Sequence, residues 1–91
     1  MSVTISEIEF DRVEYDADTD VLYLHVGDPS RAVDYDEMPE GHAARFNRDG
    51  ELVGLTLVRP KQLLDRDGAL HVTIPVPTSV PTAALASIMS Q

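Results

Sequence analysis

The chain contains no cysteine and no tryptophan, and Lys61 is its only lysine. Without cysteine, disulfides, thiolate zinc sites and a cysteine nucleophile are excluded. Long apolar runs are also missing: none approaches the ~20 residues that a helix needs to cross a bilayer. The opening residues 1–7 lack the basic region and apolar stretch of a signal peptide. Positive charge is scarce. Seven basic residues stand against sixteen acidic ones, for a formal charge of −9. A field of that sign repels phosphate backbones and anionic lipid, so neither nucleic acid nor membrane is an expected partner, and a cationic partner is favoured. Together these features point to the cytoplasm.

What is present describes one small domain. Ninety-one residues, 43% of them hydrophobic, suit a single globular unit, expected over residues 1–91. Such a chain buries roughly 60–65% of the surface that its unfolded form exposes. The most informative stretches are Tyr15-Asp16-Ala17-Asp18-Thr19-Asp20-Val21-Leu22-Tyr23-Leu24 and Phe46-Asn47-Arg48-Asp49-Gly50-Glu51-Leu52-Val53-Gly54-Leu55. Each sets polar turn residues directly before an apolar run, the sequence form of a β-hairpin.

The resulting expectation is an α+β fold, mostly β: an antiparallel meander of five or six short strands with a short C-terminal helix. Residues 10–58 would form the core meander, and 59–91 an extra strand and the helix. Val3 and Ile5 alternate, so residues 1–9 read as an edge strand or a loose arm. A strand to Tyr15 points Val13 and Tyr15 one way, Arg12 and Glu14 the other. Residues 21–26 are apolar on both sides. Leu22, Leu24 and Val26 line one face, and Val21, Tyr23 and His25 the other. A strand of that kind is expected to be covered twice, by the tail or by another subunit.

A third strand is expected at residues 32–38, with Val33 and Tyr35 inward and Asp34 and Asp36 outward. A fourth and a fifth, at 42–46 and 51–58, meet across the Asp49-Gly50 turn. Gly54, inside the fifth, marks a bulge or a close approach by another group. Pro60 opens a helical turn over residues 61–65. Arg66-Asp67-Gly68 then echoes Arg48-Asp49-Gly50 and introduces a sixth strand at 70–76, after which Pro75, Pro77 and Pro81 stop sheet pairing. Residues 81–90 read as a helix with Ala84, Leu85, Ile88 and Met89 as its apolar stripe.

Few residues suggest chemistry. Asp16, Asp18 and Asp20 have the spacing that opens an EF-hand loop and are the metal candidates. The sixth loop position is Val21 instead of Gly, however, and the twelfth is Gly27 instead of Glu. A turn whose carboxylates bond nearby backbone N–H groups is the favoured explanation of them. His25, His42 and His71 share no ligand spacing. No nucleophile elbow or phosphate loop is present, no catalytic residue is assigned and no cofactor is implied. Two function classes follow. One is a non-catalytic binding module that pairs with itself as a dimer or with a basic protein, through Val21, Tyr23, His25, Leu85, Ile88 and Met89. The other is a metal-dependent enzyme or cation-binding protein built on the Asp16/Asp18/Asp20 loop.

Tyr15-Asp16, Asp20-Val21-Leu22-Tyr23-Leu24 and Asp49-Gly50-Glu51-Leu52-Val53-Gly54-Leu55 together resemble the small prokaryotic family catalogued as domain of unknown function 2283. The resemblance spans about residues 12–58. It implies no assigned activity, and an antitoxin-like or binding role through neighbouring toxin-like genes. Where members resembling this pattern carry Asp before the aromatic of the fourth strand and Glu after the Gly-Ile, this chain has Arg45 and Thr56. Any chemistry implied for that acidic pair is therefore not expected here.

Overall fold

In the computed structural model, which describes residues 2–73 and 76–89, the chain starts with a hairpin. Ser6 and Glu7 both take positive φ (51° and 68°) and fold β1 (Val3–Ile5) back on β2 (Ile8–Phe10). The expected edge strand is thus two strands. Ser-Glu is not a residue pair that announces such a turn, because neither residue favours the left-handed region.

The main sheet follows. It comprises β3 (Arg12–Asp16), β4 (Val21–His25), β5 (Asp34–Glu37), β6 (Ala43–Phe46) and β7 (Leu52–Val58), with a 3₁₀ turn at Pro29–Arg31 between β4 and β5. All neighbours are antiparallel, as expected, and the order across the sheet is β3-β4-β7-β6-β5. Two hairpin-linked groups therefore meet where β7 lies against β4. That contact brings the two most apolar strands to the centre, where both their edges are hydrogen-bonded.

The β6–β7 turn is held by Asn47. Its Oδ1 accepts from the N–H groups of Asp49 (3.0 Å) and Glu51 (2.9 Å), while Gly50 adopts φ 81°. The register shifts between Arg45 and Phe46, a bulge beside the glycine that had suggested one.

The remainder forms one layer. α1 (Pro60–Asp67) is followed by β8 (Ala69–Val72), β9 (Thr78–Pro81) and α2 (Thr82–Met89), with β8 and β9 paired antiparallel. β9 corrects the expectation that the prolines end sheet pairing. Pro81 sits opposite Ala69 at the very end of the strand, where a missing N–H is least costly. The Arg66-Asp67-Gly68 echo is also corrected: Gly68 (φ 75°) ends α1, its N–H bonding Leu64 C=O, while Gly50 belongs to a hairpin. The expected sixth strand runs into Ile74 and Pro75, and the expected helix into Ser90, all outside the described residues.

All this material lies on one side of the main sheet. Leu22, Leu24, Ala44, Leu55 and Leu57 share a single buried cluster with Phe10 from the N-terminal hairpin, Leu64 from α1, Leu70 and Val72 from β8, and Leu85 and Ile88 from α2. The expectation that β4 is covered on both faces is therefore overturned for the single chain. Leu22 and Leu24 are fully buried, whereas Tyr23 is 37% exposed and Val21 and His25 are only partly buried. The tail and the N-terminal hairpin suffice to cover one face, and they take the more apolar one. Val33 and Tyr35 correct a further expectation. They are 61% and 64% exposed: Tyr35 lies on β5, an edge strand whose four residues are all exposed, and Val33 lies just before it.

Candidate interaction surface

The face left open is written by register. Across β3, β4, β7, β6 and β5, one row reads Arg12, His25, Gly54, Arg45 and Tyr35. The next reads Glu14, Tyr23, Thr56, Ala43 and Glu37. Asp16, Val21 and Val58 start a third. Successive rows are ~7 Å apart, two residues along a strand. Tyr23 and Thr56 thus stand in the middle row of the face, with the charged Arg12, Glu14, Asp16, Arg45 and Glu37 placed around them. Arg12, Glu14, Tyr23 and His25, with Asp11 and Pro29, also line a groove of about 450 Å³ at one end of this face.

His25 is tied to the backbone beneath it. Its ring lies over Gly54, where an added Cβ would stand 2.8 Å from Cε1 and 3.0 Å from Nδ1. Glycine at 54 is what lets the imidazole lie flat on the sheet. Burial pushes the His25 imidazole below the ordinary histidine range, and the Arg45 guanidinium adds to this against the Val53 carbonyl. Its Nδ1 is buried without a partner among the described residues.

His42 is enclosed on the other side. Val58 N–H donates to its Nδ1 at 3.0 Å, so the ring's proton sits on Nε2, which is buried and unpartnered among the described residues. Burial lowers its pKa; Glu40 opposes this and Arg59 reinforces it. A cavity of about 370 Å³ lies nearby between Glu40, Arg59, Gln62 and His71.

The acidic loop is used as structure. Asp16 Oδ1 accepts from Asp18 N–H (3.1 Å), a turn bond of the kind expected. Asp20 does far more. Its carboxylate accepts from Tyr15 Oη (2.7 Å), Lys61 N–H (3.1 Å) and Gln62 N–H (3.3 Å), and its C=O accepts from Arg59 N–H at 2.7 Å. It caps α1 from forty residues away in the chain. One signal did exist: Arg59 before Pro60 offers α1 no side-chain cap of its own, so one had to come from elsewhere. Burial, then the bond to Asp20 and its charge, push Tyr15 up to about 12. Among the described residues, no group of three or more His, Asp or Glu gathers closely enough to hold a metal ion.

The remaining interface candidates divide. Leu85 and Ile88 are buried in the chain's own core and Met89 packs partly against it. Val21, Tyr23 and His25 lie on the open face, which reasoning from the sequence had not extended to Arg12, Glu14, Arg45 and Thr56. Period-two alternation places each of these outward within its own strand, but only the pairing of β4 with β7 brings them to one surface. No helix among the described residues is long and apolar enough to cross a membrane. No curated protein and no solved structure matches the chain. A family model described as "Protein of unknown function (DUF2283)" matches residues 12–59, more than half the chain and the whole of the main sheet. The chain belongs to that family, and the segment it shares is the one that builds both the covered and the open face.

Proposed function

We propose that this protein is a small, non-catalytic interaction module whose working surface is the open face of the five-stranded sheet, and that it associates with itself. One observation carries the reading: a sheet packed on one side leaves Tyr23, Val21, Val58 and Thr56 contiguous on the other, with no further segment over them among the described residues. Charge supports a second copy as the partner. The chain is strongly acidic, yet this face holds Arg12 and Arg45 against Glu14, Glu37 and Asp16. It is close to neutral, so two copies can meet there without confronting their full charge.

A basic protein, as in an antitoxin-like role, is the second reading. It is favoured by the exposed acidic edge strand with Asp34, Asp36 and Glu37. Sedimentation equilibrium of the intact chain tests the first reading. A monomer–dimer equilibrium is expected, and Tyr23→Asp should shift it toward monomer while the circular dichroism spectrum stays that of the wild type. A strict monomer at every concentration, or a dimer indifferent to Tyr23→Asp, would overturn it.

A further inference from the structure

We infer that two copies pack open face to open face about a twofold axis that runs across the strands, between the Arg12 row and the Glu14 row. This rests on the self-association proposed above and adds an arrangement that pairs the charges of the two rows. The rows differ in sign. The first has Arg12 on β3 and Arg45 on β6, and the second has Glu14 on β3 and Glu37 on β5. A twofold lying across the strands exchanges the rows and keeps each strand's place. Arg12 then faces Glu14 of the second copy, Glu14 faces its Arg12, and Arg45 lies within reach of Glu37.

The other in-plane twofold, along the strands, keeps each row facing itself and exchanges the sheet's edges. It would set Glu14 against Glu37 and Arg45 against His25. The first axis satisfies every charge that the second opposes. Facing sheets stand ~10 Å apart, a gap that arginine and glutamate side chains span from opposite sides. Tyr23 and His25, adjacent on β4 in different rows, exchange places as well, so each tyrosine meets the imidazole of the other copy near the centre.

Size sets the strength. The two rows that this axis exchanges, over five strands, cover on the order of 350 Å² per copy in projection, well under the ~800 Å² per partner of a standard specific interface. The dimer is therefore one that dissociates on dilution.

The charge rows make the geometry testable with side chains that are exposed and remote from the core. Sedimentation equilibrium is run on wild type, Arg12→Glu, Glu14→Arg, the double variant Arg12→Glu/Glu14→Arg, and an equimolar mixture of the two single variants. Each single change places like charges at two symmetric contacts and should weaken the dimer by roughly tenfold or more. The double variant reverses both rows on β3 and should recover wild-type association. The mixture should form a heterodimer tighter than either homodimer, because each copy supplies the charge that the other lacks. Circular dichroism checks that all four proteins are folded. Single variants that dimerise as wild type does, or a double variant and a mixture no better than the singles, overturn this axis while leaving the open face as the contact. A wild type that never dimerises overturns the self-association itself.

Discussion

The two faces of the main sheet are made by the same strands and obey different physics. On one, Leu22, Leu24, Leu55 and Leu57 are wholly removed from water beneath two helices and two small hairpin sheets. On the other, Tyr23, Thr56 and Val58 stand a few ångströms away, half in solvent, between charged residues. What separates them is only the parity of residue number along each strand. The covered face holds the fold together. The open face carries mixed chemistry, and a partner of this sheet would meet it there or at one of its two edges, β3 or the acidic β5.

Substitutions across the two faces should break the comparison apart. Leu24→Ala on the covered face is expected to cost the most, about 2–5 kcal/mol by chemical denaturation, because it empties a fully buried site. Glu14→Gln, one strand away and outward, should stay within about 0.5 kcal/mol for the monomer. Equal costs would mean that the open face is not open.

Asp20→Ala comes next. It removes the side-chain cap of α1 and a bond to Tyr15, and should cost about 1–3 kcal/mol. The same change should bring Tyr15 ionisation, followed at 295 nm, down from about 12 toward the ordinary tyrosine range. With the native Asp20, the folded protein holds Tyr15 protonated above the pH at which the unfolded chain releases its proton. That stability is complete below about pH 10 and is lost as pH rises through 12.

Gly54→Ala sharpens the contrast from within the open face. The new methyl would collide with the His25 ring, at an expected cost of about 1–2 kcal/mol. His25→Ala in the same chain should relieve most of it. A double-mutant cycle with no coupling would show that the ring does not rest on residue 54.

The smallest effect is in acid. Burial lowers both His42 and His25, so the unfolded chain takes up protons that the folded one refuses. Their contribution is present above about pH 6.5 and fades as pH falls through the folded values. His42→Gln retains an acceptor for Val58 N–H and should flatten the denaturation midpoint between pH 7 and 5.

Several elements could be read directly from residue order. The Asp49-Gly50 turn, the alternation that turns Val13 and Tyr15 away from Arg12 and Glu14, and the crowding at Gly54 are local facts, and each appears where expected. Tyr35 misled because an edge strand and a central one can share the same alternation, and only the neighbours decide which side is wet. Residues 1–9 were ambiguous because Ser6-Glu7 lacks the chemistry of a tight turn. β9 was missed because Pro81 ends it and Pro75 and Pro77 stand just before it in the sequence. The cap of α1 by Asp20 joins residues 41 and 42 positions apart, and no local rule could have named the acceptor.

Residue order alone thus determined a mostly β chain with acidic turns, no cysteine chemistry and a central strand apolar on both sides, since turn preference and side-chain alternation act over a few neighbouring residues. Tertiary structure decided that β7 docks on β4, that the N-terminal hairpin and the tail both settle on the Leu22 and Leu24 side, and that Tyr23 is left facing water. The reason is that burial is shared out among distant segments competing for one core, and the N-terminal hairpin, α1, β8 and α2 all contribute to the same cluster on the more apolar face.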